Sequence, residues 1–330
     1  MEDKISDLLA QYDLVVYRAG RVKGAWILET DRGLKSLGGC SYSEGKVAFE
    51  QKVKQFAAEH GFPALDLYVE NKEQGFLVQG PYNEQFVMRD WFYGDECDAK
   101  SREHVLLAVE TLARLHNSLK GLSLSAEEQT FCLQQRVPEL LERRNKELRR
   151  VRTYIRSKKQ KTVFEQNFLS QFDAQAARAE EALSLLDNEV YEHYYCNAVE
   201  EGCMLHGNFT HHSTILLPEG GMAVTGFDKA ETGIRIQDLY QLFRKIMEKW
   251  DWDTSLGDSM LETYQKIRPV PNEEWQLLKV MLLYPEKFWK VANRYYNNRK
   301  SWIPEKNMQK LLQTMEQADK KEASLKALFT

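Results

Sequence analysis

The stretch MLHGNFTHHSTILLPEGGMAVTGFDKAETGIRIQDLYQLFRK, residues 204–245, decides how this chain reads. Apolar ILL and MAV flank Pro218, Glu219, Gly220 and Gly221, which spells one short strand–turn–strand set between helical blocks. Around it stand His206-Gly207, the pair His211-His212, and the acids Asp228 and Asp238. The chemistry of the chain is expected here.

Upstream, residues 1–90 read mostly as strand. VVYRAGRVKGAWILETDRGLKSL suggests a strand, a turn and a second strand around Gly20, Gly24 and Gly33. SEGKVAFEQKVKQFAAEHGF carries Val47, Phe49, Val53, Phe56 and Ala57 at helical spacing and stops at His60-Gly61. FPALDLYVEN, GFLVQG and EQFVMRDWF read as three more strands, which makes an α+β lobe of five antiparallel strands and one helix. From Ser101 the period changes to helical. SREHVLLAVETLARLHNSL has a full apolar stripe, residues 131–187 read as a long helical pair, and 234–315 is helical with breaks at Pro269, Pro271, Pro285 and Pro304. The expected division is a small lobe over 1–90, a hinge over 91–97, and a helical lobe over 98–330.

Composition excludes several classes. A net charge of −4 is too small to steer the whole chain to nucleic acid or an anionic membrane. No apolar run is long enough to span a bilayer, and MEDKISDLLAQYDL lacks the charged-then-apolar order of a signal peptide, so synthesis in the cytoplasm is expected. Five scattered cysteines without C-x-x-C spacing argue against a disulfide framework or a zinc site. Between Glu142 and Lys161 ten Lys or Arg face two Glu, which reads as a solvated helix face or a dock for an acidic partner. His206, His211 and His212 suggest a metal at first sight. Adjacent residues point to opposite sides, however, and no metal ligand set is expected.

With these residues in view, residues 204–245 resemble the aminoglycoside/choline-kinase-like phosphotransferases. Their signature is H-G-D-x-x-x-x-N, a hydrophobic strand, I-D-F-D, then D-L-A on a helix. The chain is more similar still to the spore coat kinase-like (CotS-type) branch, whose loop runs like H-x-D-x-T-H-H-N-I-L. Here the loop is LHGNFTHHSTILL, and residues 284–304, YPEKFWKVANRYYNNRKSWIP, resemble that branch's C-terminal pattern. The resemblance implies a bilobal protein-kinase-like fold. It also implies a site that holds magnesium through oxygen ligands and nucleotide phosphates through a lysine.

Placed on that pattern, the chain departs at each chemical position. The catalytic Asp falls on Asn208, an amide that takes no proton. The metal-binding Asn falls on Ser213, and the metal-binding Asp on Gly226 of VTGFD. The phosphate lysine at the end of G-x-x-x-L-K falls on Gly38, with Lys35, read as sharing a face of the strand, as the substitute. His206 and Asp238, which the resemblance assigns to bracing the loop, are present, as is Asp228, a candidate metal ligand from a shifted position. Trp91, Phe92 and Tyr93 fall where a kinase hinge meets adenine.

A lost general base alone costs about two to four powers of ten in rate, and losing the metal ligands as well removes the neutralising charge. The expectation is therefore a degenerate kinase-fold protein of the spore coat. It would act in assembly with other coat proteins and need no cofactor. The alternatives are a small-molecule phosphotransferase of altered geometry, using ATP and magnesium on an unknown acceptor, or a nucleotide-binding sensor.

Overall fold

A computed structural model describes residues 2–22, 24–132, 135–297 and 305–329. The expected break at Pro304 and the end of the C-terminal pattern lie outside these residues. The chain has an α+β fold with an N-terminal antiparallel sheet and a helical C-terminal region. It divides into two compact units, Met1–Leu133 with Ala198–Asp238, and Gln134–Asn197 with Leu239–Thr330.

The first unit opens with α1 (Glu2–Leu9), then β1 (Val16–Val22), β2 (Ala25–Thr30), β3 (Gly33–Cys40), α2 (Glu44–Glu59), β4 (Leu77–Gln79) and β5 (Gln85–Asp90). The five strands form one antiparallel sheet in the order β1-β2-β3-β5-β4. Ile5, Leu8 and Leu9 of α1 pack with Leu28, Leu37 and Met88 on one face. Val47 of α2 packs with Tyr68 and Val87 in a separate cluster that also takes in Cys40.

The five-strand count holds, but by a different route. The segment read as two strands around Gly24 and Gly33 supplies three, because Gly33 at φ +84° turns the chain a second time. FPALDLYVEN forms no ladder. Its backbone bonds are split, with Leu67 and Val69 exchanging with Asp90 and Met88 while the Ala64 carbonyl accepts from Val224. Helix α1 was not foreseen either; only the sheet face it covers calls for it.

Beyond β5 come β6 (Asp95–Glu96), α3 (Arg102–Ser118), α4 (Ala126–Gln129), and then the short strands β7 (Met204–Leu205), β8 (Thr214–Leu216), β9 (Met222–Val224) and β10 (Glu231–Thr232). They form a β6-β8-β9 sheet and a β7-β10 pair. The α3 stripe of Val105, Ala108, Val109, Leu112 and Leu115 is fully buried, as its period requires.

The second unit is helical. It uses α5 (Val137–Ser157), α6 (Val163–Ser184), α7 (Asn188–Glu200), α8 (Ile236–Lys249), α9 (Thr254–Ile267), α10 (Asn272–Leu283), α11 (Glu286–Asn297), α12 (Glu305–Glu316) and α13 (Ala318–Leu328). Phe168 stacks on Phe288 at 4.8 Å and Phe164 on Tyr295 at 4.1 Å, which fixes α6 against α11. The basic face of α5 is partly neutralised from its neighbours. Arg149 meets Glu180 at 3.0 Å, Arg152 meets Asp173 at 2.7 Å, and Lys158 meets Glu165 at 2.7 Å. No helix among the described residues is long and apolar enough to cross a membrane.

Candidate functional site

The site is built in the first unit around the loop that follows β7. Asp238, with no exposed surface, accepts the backbone N–H of His206 at 2.7 Å and of Gly207 at 3.0 Å. The His116 ring approaches the same carboxylate through Nε2 at 3.3 Å. His206 is equally enclosed. Its Nδ1 accepts from the Asn208 N–H at 3.2 Å and its Nε2 lies 3.0 Å from the Thr225 carbonyl, the pairing of a ring carrying its proton on Nε2. Phe209 and Phe227 pack on that ring at 5.6 and 4.5 Å. Gly207, at φ +77°, passes so close to Lys229 that a Cβ would sit 1.9 Å from the Lys229 carbonyl oxygen. No other residue fits there. Backbone and ring groups of the loop are thus closed on one another, and Asn208 is left half-buried at the turn.

Ser213 faces inward. Its hydroxyl accepts from the Thr210 N–H at 2.9 Å and donates to the Thr210 carbonyl at 2.7 Å, so both functions are engaged within its own turn. Gly226 lies at φ +82° with open space where a Cβ would be. Its N–H donates to Asp66 Oδ2 at 3.2 Å.

Asp66 leads to a buried charge network that sequence reasoning missed. Its Oδ1 lies 3.6 Å from Lys54 Nζ and its Oδ2 3.9 Å from Arg89 Nε. Lys54, fully buried, also donates to the Asp66 carbonyl at 2.6 Å and to Glu50 at 3.3 Å, while the Tyr68 hydroxyl donates to Glu50 at 2.8 Å and accepts from Arg89 at 3.0 Å. Burial raises the Asp66 carboxyl above the usual carboxylate range, and Lys54 and Arg89 oppose it. One signal was available: Glu50 and Lys54 fall four apart on the helix that also buries Val47 and Ala57, and charges on an apolar face demand partners.

Asp228, half-buried, accepts from the Tyr42 hydroxyl at 3.1 Å. Burial and this carboxylate push the Tyr42 phenol up. Lys46 of α2 donates to the Phe131 carbonyl at 3.2 Å, and burial holds its ammonium below the ordinary lysine range.

Lys35 requires a correction. It stands three residues before Gly38, and three residues along a strand means opposite faces, so the two do not share one. Its ammonium lies 2.6 Å from both Asp90 Oδ1 and the Arg32 carbonyl. Gly38 has only the Ala25 Cβ near its own missing side chain, at 3.7 Å. Trp91 is half-buried, and its N–H donates to the Leu34 carbonyl at 2.9 Å. Gly94, three residues on, admits no Cβ because Leu216 O would lie 2.0 Å away.

The histidines do not converge on a metal. Both ring nitrogens of His206 are engaged by backbone, His211 is buried, and His212 is exposed and paired with Glu96. Among the described residues no group of three His, Cys, Asp or Glu is arranged to hold an ion.

Residues 6–328 match the family described as "Spore coat putative kinase YutH". The chain belongs to this spore coat kinase family. It is 24% identical over 312 residues to spore coat protein S of Bacillus subtilis (strain 168), covering 92% of this chain and 88% of that protein. Among solved structures it is similar to an aminoglycoside phosphotransferase from Alicyclobacillus acidocaldarius. There the TM-score is 0.85 at 20% identity, over 97% of this chain and 93% of that one. An AMP-bound spectinomycin phosphotransferase gives 0.67 at 10% identity, over 98% and 97% of the two chains. An amicoumacin kinase solved with AMP-PNP and Ca2+ gives 0.60 at 10%, over 98% and 93%. These likenesses establish the aminoglycoside-phosphotransferase-like kinase fold.

Proposed function

We propose that this chain is a non-catalytic kinase-fold component of the spore coat that works by binding other coat proteins. In this reading residues 1–90 are the small lobe, 91–97 the hinge and 98–330 the helical lobe. The observation that carries it is at the metal seat. Ser213 has turned its hydroxyl into its own loop, and Gly226 offers no side chain at all. Magnesium selects several oxygen ligands in near-octahedral array, and these residues do not fit it. Asn208 in place of a proton acceptor and Gly38 in place of a phosphate cation point the same way. The coat setting is supported by the B. subtilis relative, itself a spore coat protein.

One observation favours the enzyme or sensor alternative. Asp228 keeps a carboxylate near Gly226, with Tyr42 as its one hydrogen-bond donor among the described residues. The deciding experiment is thermal unfolding with ATP at several magnesium concentrations. A ligand at a hundredfold excess over Kd adds about 2.7 kcal/mol of stability, a shift of several degrees. The non-catalytic reading expects no such shift at millimolar ATP. A magnesium-dependent rise that Asp228→Ala removes would overturn it.

A further inference from the structure

The helical unit contains a second polar site, outside the reading above. A cavity of about 50 Å³ is walled by Arg178 of α6, Arg244 and Glu248 of α8, Glu286 and Lys287 of α11, and Lys321 of α13. Four cations therefore face two carboxylates, and both carboxylates are already engaged. Glu248 pairs with Arg244 at 2.5 Å and Lys287 at 3.6 Å, and Glu286 pairs with Arg144 and, at 3.0 Å, Lys290. Arg178 leans outward to Glu322 at 3.5 Å.

Two donors are left over. Lys321 has the Tyr284 carbonyl at 3.4 Å and the Trp252 ring at 5.2 Å, and no carboxylate within ion-pair distance among the described residues. Arg244 is 7% exposed, yet its Nε–H meets no acceptor among the described residues. The ring beneath Lys321 is held by a strained corner. Asp251 and Trp252 both adopt left-handed backbone, at φ 49° and 60°, which is unfavourable for non-glycine residues and persists only where its surroundings impose it.

A part-buried cation with no carboxylate in ion-pair contact is unfavourable, and an enclosed polar group normally finds a partner. We propose that this cavity is a binding site for a small oxyanion, a sulfate, phosphate or carboxylate group, held by Lys321 and the Arg244 Nε–H. The volume agrees with a small ion, since a single water needs only about 10–15 Å³ of cavity. Burial, opposed by Glu248 and aided by Arg244 and Arg178, pushes the empty-site Lys321 amine down to about 7, and a bound anion would restore its proton.

Sulfate is the probe, because it does not titrate near neutrality. Unfolding of the full chain is followed in sulfate and in chloride at matched ionic strength, with Lys321→Met beside the wild type. The site predicts a sulfate-specific Tm rise of roughly 3–5 °C at a hundredfold excess over Kd, absent in K321M. Calorimetric titration in buffers of different ionisation enthalpy should show up to one proton taken up per sulfate at pH 8.5 and almost none at pH 6. This second readout uses the wild type alone and stands even if K321M fails to fold. Equal shifts in sulfate and chloride, an equal sulfate shift in K321M, or binding without proton uptake at pH 8.5 would each refute the site. Free phosphate and a compound bearing a phosphate monoester, titrated in parallel, separate a free ion from a headgroup as the natural occupant.

Discussion

The polar groups around His206 and Asp238 are closed on one another, and those around Lys321 are not. Around His206 and Asp238, buried donors and acceptors meet within the loop, and Ser213 satisfies both functions of its hydroxyl on Thr210. Around Lys321, cations outnumber carboxylates and a guanidinium N–H is left without an acceptor among the described residues. A fully satisfied network stabilises a shape and asks nothing of a ligand. An unsatisfied one calls for an explanation, and an ion that completes it is one. The region that resembles an active site thus has the character of a brace. The region with no catalytic motif has the character of a binding site.

The contrast breaks first, and by the largest effect, at Asp238. Replacing it with Ala removes the acceptor of two backbone N–H groups and of the His116 ring, with His206 and His116 fully buried and Gly207 partly so. A loss of about 3–5 kcal/mol in a denaturant titration is expected. A loss below about 1 kcal/mol would show that the brace is not holding the loop.

The two loop glycines give the next test. Gly207→Ala puts a Cβ 1.9 Å from Lys229 O as well as demanding a left-handed alanine, and should cost more than about 2 kcal/mol. Gly226→Ala has the same backbone demand but open space, so about 1 kcal/mol is expected. Equal costs would mean that the frame is no tighter at Gly207 than at Gly226.

Lys321 provides the pH test in the open region. Its folded amine is lowered to about 7, while unfolded lysine titrates near 10.4. Between those values the unfolded chain binds the extra proton, so stability should rise with pH, by up to about 1.4 kcal/mol per unit. The penalty is fully present below about pH 7 and is relieved as pH approaches the unfolded value. Lys321→Met should flatten the wild-type slope between pH 7 and 9 in sulfate-free buffer. Parallel slopes would remove Lys321 from the account.

Much of the closed region was legible in the sequence because its signals are local. HGN, TGFD and QDL are contiguous runs, and the stripe of α3 repeats within one helix. The open cavity was not legible, since Arg178, Arg244, Glu286 and Lys321 come from four helices and meet only through tertiary packing. The Glu50–Lys54–Asp66–Arg89 network was missed for the same reason, apart from its i,i+4 pair on α2. Lys35 shows a different limit. Strand parity alone assigns it and Gly38 to opposite faces, so the sequence itself speaks against the substitution.

Asp228 carries the smallest expected effect and the finest discrimination. Half-buried and bonded only by a partly exposed Tyr42 among the described residues, it contributes little to the frame, and Asp228→Ala should change stability by no more than about 0.5–1 kcal/mol. Tyr42→Phe should match it, and the double variant should cost no more than either alone, since one shared hydrogen bond can be lost only once. A loss of more than about 2 kcal/mol would place Asp228 with Asp238 in the brace. A small loss leaves a carboxylate whose presence stability does not explain. Whether Asp228→Ala also alters binding to nucleotide or to a coat protein then separates a relic of phosphotransfer from a working contact.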